Sequence, residues 1–172
     1  MSLSRLIVAG LLLACSSQSD AGGQSSIPDV RLLDSIEIPI ITRRDTVRVM
    51  VEVARTPDQH TMGLMERPSL AAHRGMLFLY PAVQSESTAF WMFRTRIPLD
   101  IAFIDSAGTI RTIKTMTPCT STLAVGCESY PAEARYQAAM EVNAGFFARR
   151  GVRVGDRIPE PGKILNVKLD AP

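Results

Sequence analysis

The chain has 172 residues with a net charge of +2; 21% of the residues are charged, 6% are aromatic and three are cysteines. This length fits one domain with a short leader. A domain of about 130–150 residues buries roughly 68–70% of its unfolded surface, so a self-sufficient core is expected. The small net charge, the sparse aromatic residues and the lack of a Lys or Arg block exclude a nucleic-acid-binding surface, so no nucleic-acid partner is expected.

Residues 1–15 are typical of a bacterial lipoprotein signal peptide. Arg5 supplies a positive charge, and the apolar run over residues 6–13 is shorter than the about 20 residues of a membrane-spanning helix. The run ends in the letters LLAC at Cys15, which resemble the lipobox, whose cysteine is lipidated after cleavage. Because Ser16 follows, this resemblance implies a lipid anchor in the outer membrane, facing the periplasm. The alternative is an ordinary secretory signal with an incidental cysteine.

Residues 16–34 follow the signal peptide and are predicted to form a flexible tether. Ser, Gln, Gly and Asp dominate up to Ser26, and no periodic apolar pattern is present. A single β-rich domain is expected over residues 35–172, because no repeat or low-complexity block interrupts the rest of the chain.

The domain begins with two predicted strands and a short helix. Apolar residues alternate over residues 36–40, where Pro39 favours an edge strand, and again over residues 47–53, so a hairpin is expected. Thr56 is a favourable N-cap, and the helix is expected to run to about Met65. We interpret His60 as a solvated helix residue rather than a ligand or base. Only one other histidine is present, so a His-rich metal site is excluded.

Three apolar runs within residues 75–105 predict the central strands of the core. They are Met76–Tyr80, Ala89–Phe93 and Leu99–Ile104, with a polar loop over Pro81–Thr88 and a returning strand over Thr109–Met116. A meander of this kind favours antiparallel β structure.

Cys119 and Cys127 flank a loop rich in Thr, Ser and Gly. In a secreted protein this pair most simply forms a disulfide, which would stabilise the domain by roughly 2.5 kcal/mol on the chain-entropy model. The competing interpretations are a metal pair and a redox dithiol, although neither a nearby His nor a C-x-x-C spacing supports them.

The C-terminal part of the chain predicts further strands and one short helix. A strand is expected over Tyr136–Val142 and a helix from Asn143 to Arg150, ending at Gly151. A final strand is expected near Arg157, and the alternation over Lys163–Leu169 predicts one more strand at an edge.

Residues from about Val47 to Asp156 resemble the domain-of-unknown-function family DUF192. The matching residues are Thr56-Pro57, Gly63-Leu64-Met65, Arg67, Gly75-Met76-Leu77-Phe78, Phe90-Trp91-Met92, Thr95, Ile97-Pro98-Leu99-Asp100, Phe103-Ile104-Asp105, Pro118-Cys119, Cys127, Glu141-Val142, Ala144-Gly145 and Gly155-Asp156. The resemblance implies a mainly β fold, an antiparallel β-sandwich of jelly-roll type with one or two short helices. It implies no established activity.

The polar residues after Trp91 form the candidate binding site. The predicted set is Arg67, Trp91, Arg94, Thr95, Arg96, Asp100 and Glu141. Paired carboxylates can hydrolyse glycosides if they lie about 5 Å or 6.5–9.5 Å apart, and Asp100 and Glu141 are the candidates. The favoured alternative for Asp100 is an ion pair with an arginine, since buried charges are normally paired. Trp91 is interpreted as a core residue, with a sugar-stacking platform as the alternative.

No catalytic motif, phosphate loop or metal-ligand cluster is present, so no catalytic residue, metal or cofactor is assigned. Three functions remain open. The first, preferred by fold analogy, is a lipid-anchored envelope module that binds a small molecule or a glycan. The second is a hydrolase using Asp100 and Glu141, and the third is an envelope protein that interacts with other proteins.

Overall fold

A computed structural model describes residues 33–166, which fold into a mainly β structure with three short helices. The elements are β1 Ser35–Ile41, β2 Thr46–Ala54, α1 Pro57–Met62, β3 Arg74–Gln84, β4 Ala89–Trp91, β5 Leu99–Ile104, β6 Ile110–Met116, a 3-10 turn Ala124–Gly126, β7 Ser129–Pro131, β8 Tyr136–Asn143, α2 Phe146–Arg150 and α3 Pro161–Leu165. Cys15, the signal peptide and residues 16–32 of the predicted tether lie outside the described residues.

Six strands form one sheet in the order β1-β2-β3-β8-β5-β6, and β4 pairs with β7 in a separate two-stranded sheet. The mainly β prediction is confirmed, but the jelly-roll form of the sandwich is not. The described strand pairs are antiparallel with one exception, since β2 and β3 run parallel. The physical reason is the connection between them: α1 and the turns after it carry the chain back to the starting end of β2, as a parallel pair requires.

The N-terminal hairpin agrees with its sequence pattern. β1 and β2 pair antiparallel, with Ile40 opposite Val47, and β1 is an edge strand, as Pro39 indicates. β1 starts at Ser35, and the backbone carbonyl of the preceding Asp34 accepts a 2.9 Å hydrogen bond from the Val53 N–H.

The helix α1 begins as its sequence predicts and ends earlier. Thr56 and Gln59 form a capping box, in which each side chain accepts a hydrogen bond from the other residue's backbone N–H. The helix ends at Met62 rather than Met65, because Gly63 adopts a positive φ of 46° that leaves the helical conformation.

The two faces of the main sheet are covered by different layers. One face carries residues such as Val49, Leu77 and Met140, which pack against Phe146 and Phe147 of α2 and against Ile164 of α3. The other face carries Met76, Phe78, Ile101 and Phe103, which pack against Leu64, Met92 and Tyr130. Helices therefore cover the first face, and the two-stranded sheet with the segment after α1 covers the second.

Several predicted boundaries are corrected by the structure. β3 continues to Gln84 through the predicted polar loop, and β4 ends at Trp91. The helix α2 starts after Gly145 rather than at Asn143, whose amide side chain instead donates a 2.9 Å hydrogen bond to the Leu70 carbonyl. Arg157 forms only isolated bridges. The described part of the predicted last strand lies in α3, which has Pro161 in its first turn.

Gly75 allows β3 to approach β8 closely. A Cβ atom at this position would lie 2.4 Å from the carbonyl oxygen of Glu141 and 2.9 Å from Cγ1 of Val142. Any larger residue at position 75 would therefore separate two central strands of the sheet.

Within residues 33–166, the helices are too short or too polar to cross a bilayer.

Candidate functional site

The predicted disulfide between Cys119 and Cys127 is formed, with 5.7 Å between the two Cα atoms. The Cys119 N–H donates a 3.1 Å hydrogen bond to the carbonyl of Thr95, and Cys119 also forms a bridge with Phe93. The disulfide loop is therefore fastened to the segment that follows Trp91.

Five residues on neighbouring strands form a row across the second face of the main sheet. From β2 to β6 they are Glu52, Met76, Glu141, Ile101 and Lys114. Directly paired residues of adjacent strands point to the same face. Glu141 therefore lies between the side chains of Met76 and Ile101, both of which are fully buried.

Glu141 is a buried acid without a charged partner. Only 4% of the residue is exposed, and its carboxyl forms no ion pair within the described part of the chain. The charged residues in the same row are already paired, Glu52 with Arg67 and Lys114 with Glu133. Burial consequently raises the pKa of Glu141 from 4.5 to about 8.

Glu141 faces a cavity of about 110 Å³ that opens to solvent, which we call the Glu141 hollow. Its other lining residues are residues 60–65, Phe78, Tyr80, residues 88–91 and Thr95. No Lys or Arg is among them. Trp91 lies at the rim with 48% of its surface exposed, so the interpretation of Trp91 as a core residue is wrong. Thr95 is buried in the wall.

His60 belongs to this wall and is not a solvated helix residue. Its Nε2 lies 3.1 Å from the carbonyl oxygen of Ala54, and its ring centroid lies 4.5 Å from that of Tyr80. A carbonyl oxygen can only accept a hydrogen bond, so Nε2 carries the hydrogen in this contact. The ring is therefore held against Tyr80, with the two ring planes tilted by 41°, on one side of the hollow.

Two tyrosines extend the aromatic wall behind Glu141. The Tyr80 and Tyr136 rings meet edge to face with their centroids 5.5 Å apart. Burial raises the pKa of Tyr80, and its neighbours Tyr136 and Glu141 raise it further. Burial also raises the pKa of Tyr136, although the nearby Tyr80 hydroxyl opposes this. Among the described residues, the buried Tyr136 hydroxyl has no hydrogen-bond partner of acceptable geometry.

Asp100 lies on the opposite face of the sheet from Glu141. It pairs with Val142 of β8, one residue beyond Glu141, and with Thr115 of β6. Its Oδ1 accepts a 2.8 Å hydrogen bond from the Thr115 hydroxyl, and no ion pair involves it within residues 33–166. The expected ion pair with an arginine is therefore wrong. The two carboxyls do not face a common site, so the paired-carboxylate hydrolase lacks its geometry.

The predicted arginines also lie away from the Glu141 hollow. Arg67 binds Glu52 through two hydrogen bonds of 2.5 and 2.6 Å. Arg94 and Arg96 both pair with Glu66, and these contacts lower the pKa of Glu66. Arg94 and Arg96 border a second cavity of about 440 Å³ beside the disulfide loop. Of the seven predicted site residues, the structure brings Trp91, Thr95 and Glu141 together.

The aromatic wall was missed by the sequence analysis, although one signal was available. Glu141 stands in a strand of otherwise apolar buried residues, and a buried acid needs an explanation. Its neighbours His60, Tyr80 and Phe90 come from three other segments of the chain. Only the pairing of distant strands reveals that they surround it.

Comparisons with known proteins give a family and a fold. A family model described as "Uncharacterized ACR", DUF192, matches residues 40–159. A chain from Sinorhizobium meliloti 1021, described as a "putative transcription regulator", has 33% identity and a TM-score of 0.66, and the match covers 76% of this chain and 96% of that one. A protein of unknown function from Novosphingobium aromaticivorans DSM 12444 has 29% identity and a TM-score of 0.62, covering 76% and 88%. No curated protein matches this chain.

Proposed function

The chain belongs to the DUF192 family, and from this premise we propose that it is a binding module of the bacterial cell envelope. The module takes a small molecule or the end of a glycan into the Glu141 hollow. We assign binding rather than catalysis to the hollow, because Glu141 is the single carboxyl in its lining and the Nε2 of His60 is directed to the Ala54 carbonyl. We do not carry the transcription-regulator description of the Sinorhizobium protein over to this chain, because its net charge is only +2 and its sequence has no block of Lys or Arg residues.

The observation that carries this proposal is an unpaired acid aimed into an open cavity. A buried carboxyl normally has hydrogen-bond or charge partners, and leaving it without them costs stability. Glu141 has none among the described residues, while Trp91 stands half exposed above it. A ligand that entered the hollow would supply the missing partner and would cover the indole ring.

The position of Trp91 gives a direct test of binding, because it is the chain's single tryptophan. Titration with N-acetylglucosamine, chitobiose and choline should produce a saturable change in tryptophan fluorescence for at least one of these probes. Ala89→Phe should abolish that change, since Ala89 lines the hollow. Ala82→Phe is the matched control, because Ala82 is an exposed strand residue outside the hollow. Equal binding by both variants would contradict the proposal.

The envelope location rests on the N-terminal sequence and on the disulfide. Residues 1–15 resemble a lipoprotein signal peptide, and disulfides persist mainly in oxidising compartments such as the periplasm. Cys15→Ser should release the protein from the membrane fraction of cells into the soluble fraction. Unchanged membrane retention would remove the lipid anchor from the proposal and would leave the binding site untouched.

A protein-interaction function is favoured by one separate observation. The disulfide loop presents Leu123 and Val125 with 66% and 91% of their surfaces exposed. A photocrosslinking residue at position 125 should form a discrete adduct in cells, whereas the same residue at Val83, another exposed apolar position, should not. No adduct at position 125 would leave the loop without a protein partner.

A further inference from the structure

We propose that the Glu141 hollow recognises an organic cation, namely a small ligand whose ammonium group is held between the Glu141 carboxylate and the surrounding aromatic rings. This inference rests on the proposed binding function and names the chemical class of the ligand. It follows from the charge balance of the sheet, from the composition of the walls and from the burial of Glu141.

Within its row of the described sheet, Glu141 is the acid that lacks a cation. The other acid of its row, Glu52, holds Arg67 through two hydrogen bonds, and the basic residue of the row, Lys114, is paired with Glu133. No lysine or arginine lines the hollow. The ammonium group of a ligand could therefore pair with Glu141 without displacing an existing ion pair of the row.

The walls suit a cation better than an anion or a purely apolar group. Phe78, Tyr80, Phe90 and Trp91 all line the hollow, and the faces of such rings attract cations with about 0.5–2 kcal/mol each. An anion would find no lysine or arginine among the lining residues, and the charged form of Glu141 would repel it. A purely apolar ligand would leave the buried carboxyl without a partner.

Three titratable side chains line the hollow, namely Glu141, Tyr80 and His60. Glu141 is the floor, Tyr80 lies beside it and stays neutral, and Tyr136 lies behind Tyr80. His60 is the third lining group, and its Nε2 is directed to the Ala54 carbonyl rather than to the carboxyl. From the flanking strands, Glu141 meets the apolar Met76 and Ile101. Within residues 33–166, no lysine or arginine lines the hollow and competes for the carboxylate.

Binding of the cation exchanges one proton. In the free protein below about pH 8 the carboxyl carries a hydrogen, which goes to the buffer when the cation binds, and the carboxylate then faces the ammonium group. For a ligand of fixed charge, affinity should rise about tenfold per pH unit below the pKa of Glu141 and level off above it.

The test compares choline with its neutral analogue 3,3-dimethyl-1-butanol, which has nearly the same shape and no charge. Tryptophan fluorescence of the full chain follows the binding of each. Choline should bind about tenfold tighter or more than the alcohol, and only choline should gain affinity as the pH rises from about 6 to about 8. Calorimetry in two buffers of different ionisation enthalpy should detect about one proton released per choline bound at about pH 7.

Two carboxyl variants serve as test and control. Glu141→Gln keeps the size of the side chain and should remove both the preference for choline and its pH dependence. Asp100→Asn changes a buried carboxyl on the opposite face of the same sheet. The preference for choline and its pH dependence should therefore both remain in this variant. The pH series on the unmodified chain needs no variant, so the inference can be tested even if Glu141→Gln folds poorly.

The results separate the ligand class from the binding function. Equal affinity for choline and the alcohol, or no choline binding at all, would overturn the cation inference. If a glycan probe still binds and Ala89→Phe blocks it, the proposed function stands. Displacement of choline by phosphatidylcholine vesicles would support an ammonium group carried by a lipid, and no displacement alongside choline binding would support a free ligand.

Discussion

Asp100 and Glu141 are buried acids on adjacent strands, one step apart in register, yet they face opposite sides of one sheet. Asp100 accepts a hydrogen bond from Thr115 and lies on the face that the helices cover. Glu141 lies on the face covered by the small sheet, and it has no partner among the described residues. The comparison teaches that a buried acid indicates a site when its partner is missing, not merely because it is buried.

The covering layers explain why the two acids differ. On the first face, α2 and α3 bring Phe146, Phe147 and Ile164 into the core. On the second face, β4 and β7 contain only three residues each, so they cover only part of a six-stranded sheet. The hollow lies where this short cover meets the segment that follows α1.

The largest expected effect is the pH dependence that Glu141 gives to stability. The pKa of Glu141 is 4.5 when the side chain is exposed and about 8 in the fold. Between pH 4.5 and about pH 8, the folded state therefore keeps a proton on Glu141 that the unfolded state has released. Stability should therefore fall as the pH rises through this window, by at most about 1.4 kcal/mol per pH unit, and should level off above about pH 8. Urea unfolding at a series of pH values measures the slope.

The matched variant for this measurement is Glu141→Gln, which should flatten that part of the profile and be more stable than the parent at about pH 8. Asp100→Asn should leave the slope between about pH 5 and 8 in place. The same slope in the parent and Glu141→Gln proteins would show that Glu141 is not the source of the pH dependence of stability.

Gly75→Ala should disturb both acids at once, because the new Cβ would lie 2.4 Å from the Glu141 carbonyl oxygen. We expect a loss of about 3 kcal/mol in the free energy of unfolding, since the clash is with backbone that cannot rotate away. Gly162→Ala is the control, because nothing lies within 4 Å of its Cβ position in α3. Denaturant titration should find the control unchanged or slightly stabilised; similar losses in both variants would remove the steric explanation.

Asp100→Ala tests whether Asp100 stabilises the fold and takes no part in ligand binding. The change removes the acceptor of the Thr115 hydroxyl and should cost about 1–2 kcal/mol, while ligand binding at the Glu141 hollow should stay unchanged. Thr115→Val removes the donor instead and should cost a similar amount. If Asp100→Ala kept its stability and lost the ligand, Asp100 would belong to the site and the comparison would fail.

The smallest expected effect concerns the two buried tyrosines of the second face. Tyr136→Phe removes a hydroxyl without a hydrogen-bond partner in the described chain, so stability should be unchanged or rise by less than about 1 kcal/mol. Tyr130→Phe should instead cost about 1–2 kcal/mol, because its hydroxyl donates to Glu128 at 2.7 Å and accepts from the Thr117 N–H at 3.1 Å. Thermal unfolding of both variants makes the comparison, and an equal loss in both would indicate an unseen partner for Tyr136.

The local features of this fold could be predicted from the sequence. The hairpin of β1 and β2 follows from alternating apolar residues, the start of α1 from the cap at Thr56, and the disulfide from two cysteines that flank a short polar loop. Each of these depends on residues that are close in the chain, where spacing alone restricts the geometry.

The site could be predicted only in part, because it depends on register between distant strands. The alternation within β5 correctly separates Asp100 from Leu99 and Ile101, but it does not say which residue of β8 lies opposite. A slip of one residue would turn every side chain of β8 to the other face and would bring Glu141 beside Asp100. The parallel pairing of β2 with β3 was missed for the same reason.

The place of β8 in the sheet has a consequence for biosynthesis. It is the last strand along the part of the chain that the structure describes, yet it lies between β3 and β5 and joins β1-β2-β3 to the β5-β6 hairpin. Until the ribosome has made residues 136–143, both halves keep an open edge and the nascent chain cannot complete its fold. Such late closure would favour the proposed export of the chain, because premature folding would block translocation of an unfolded polypeptide.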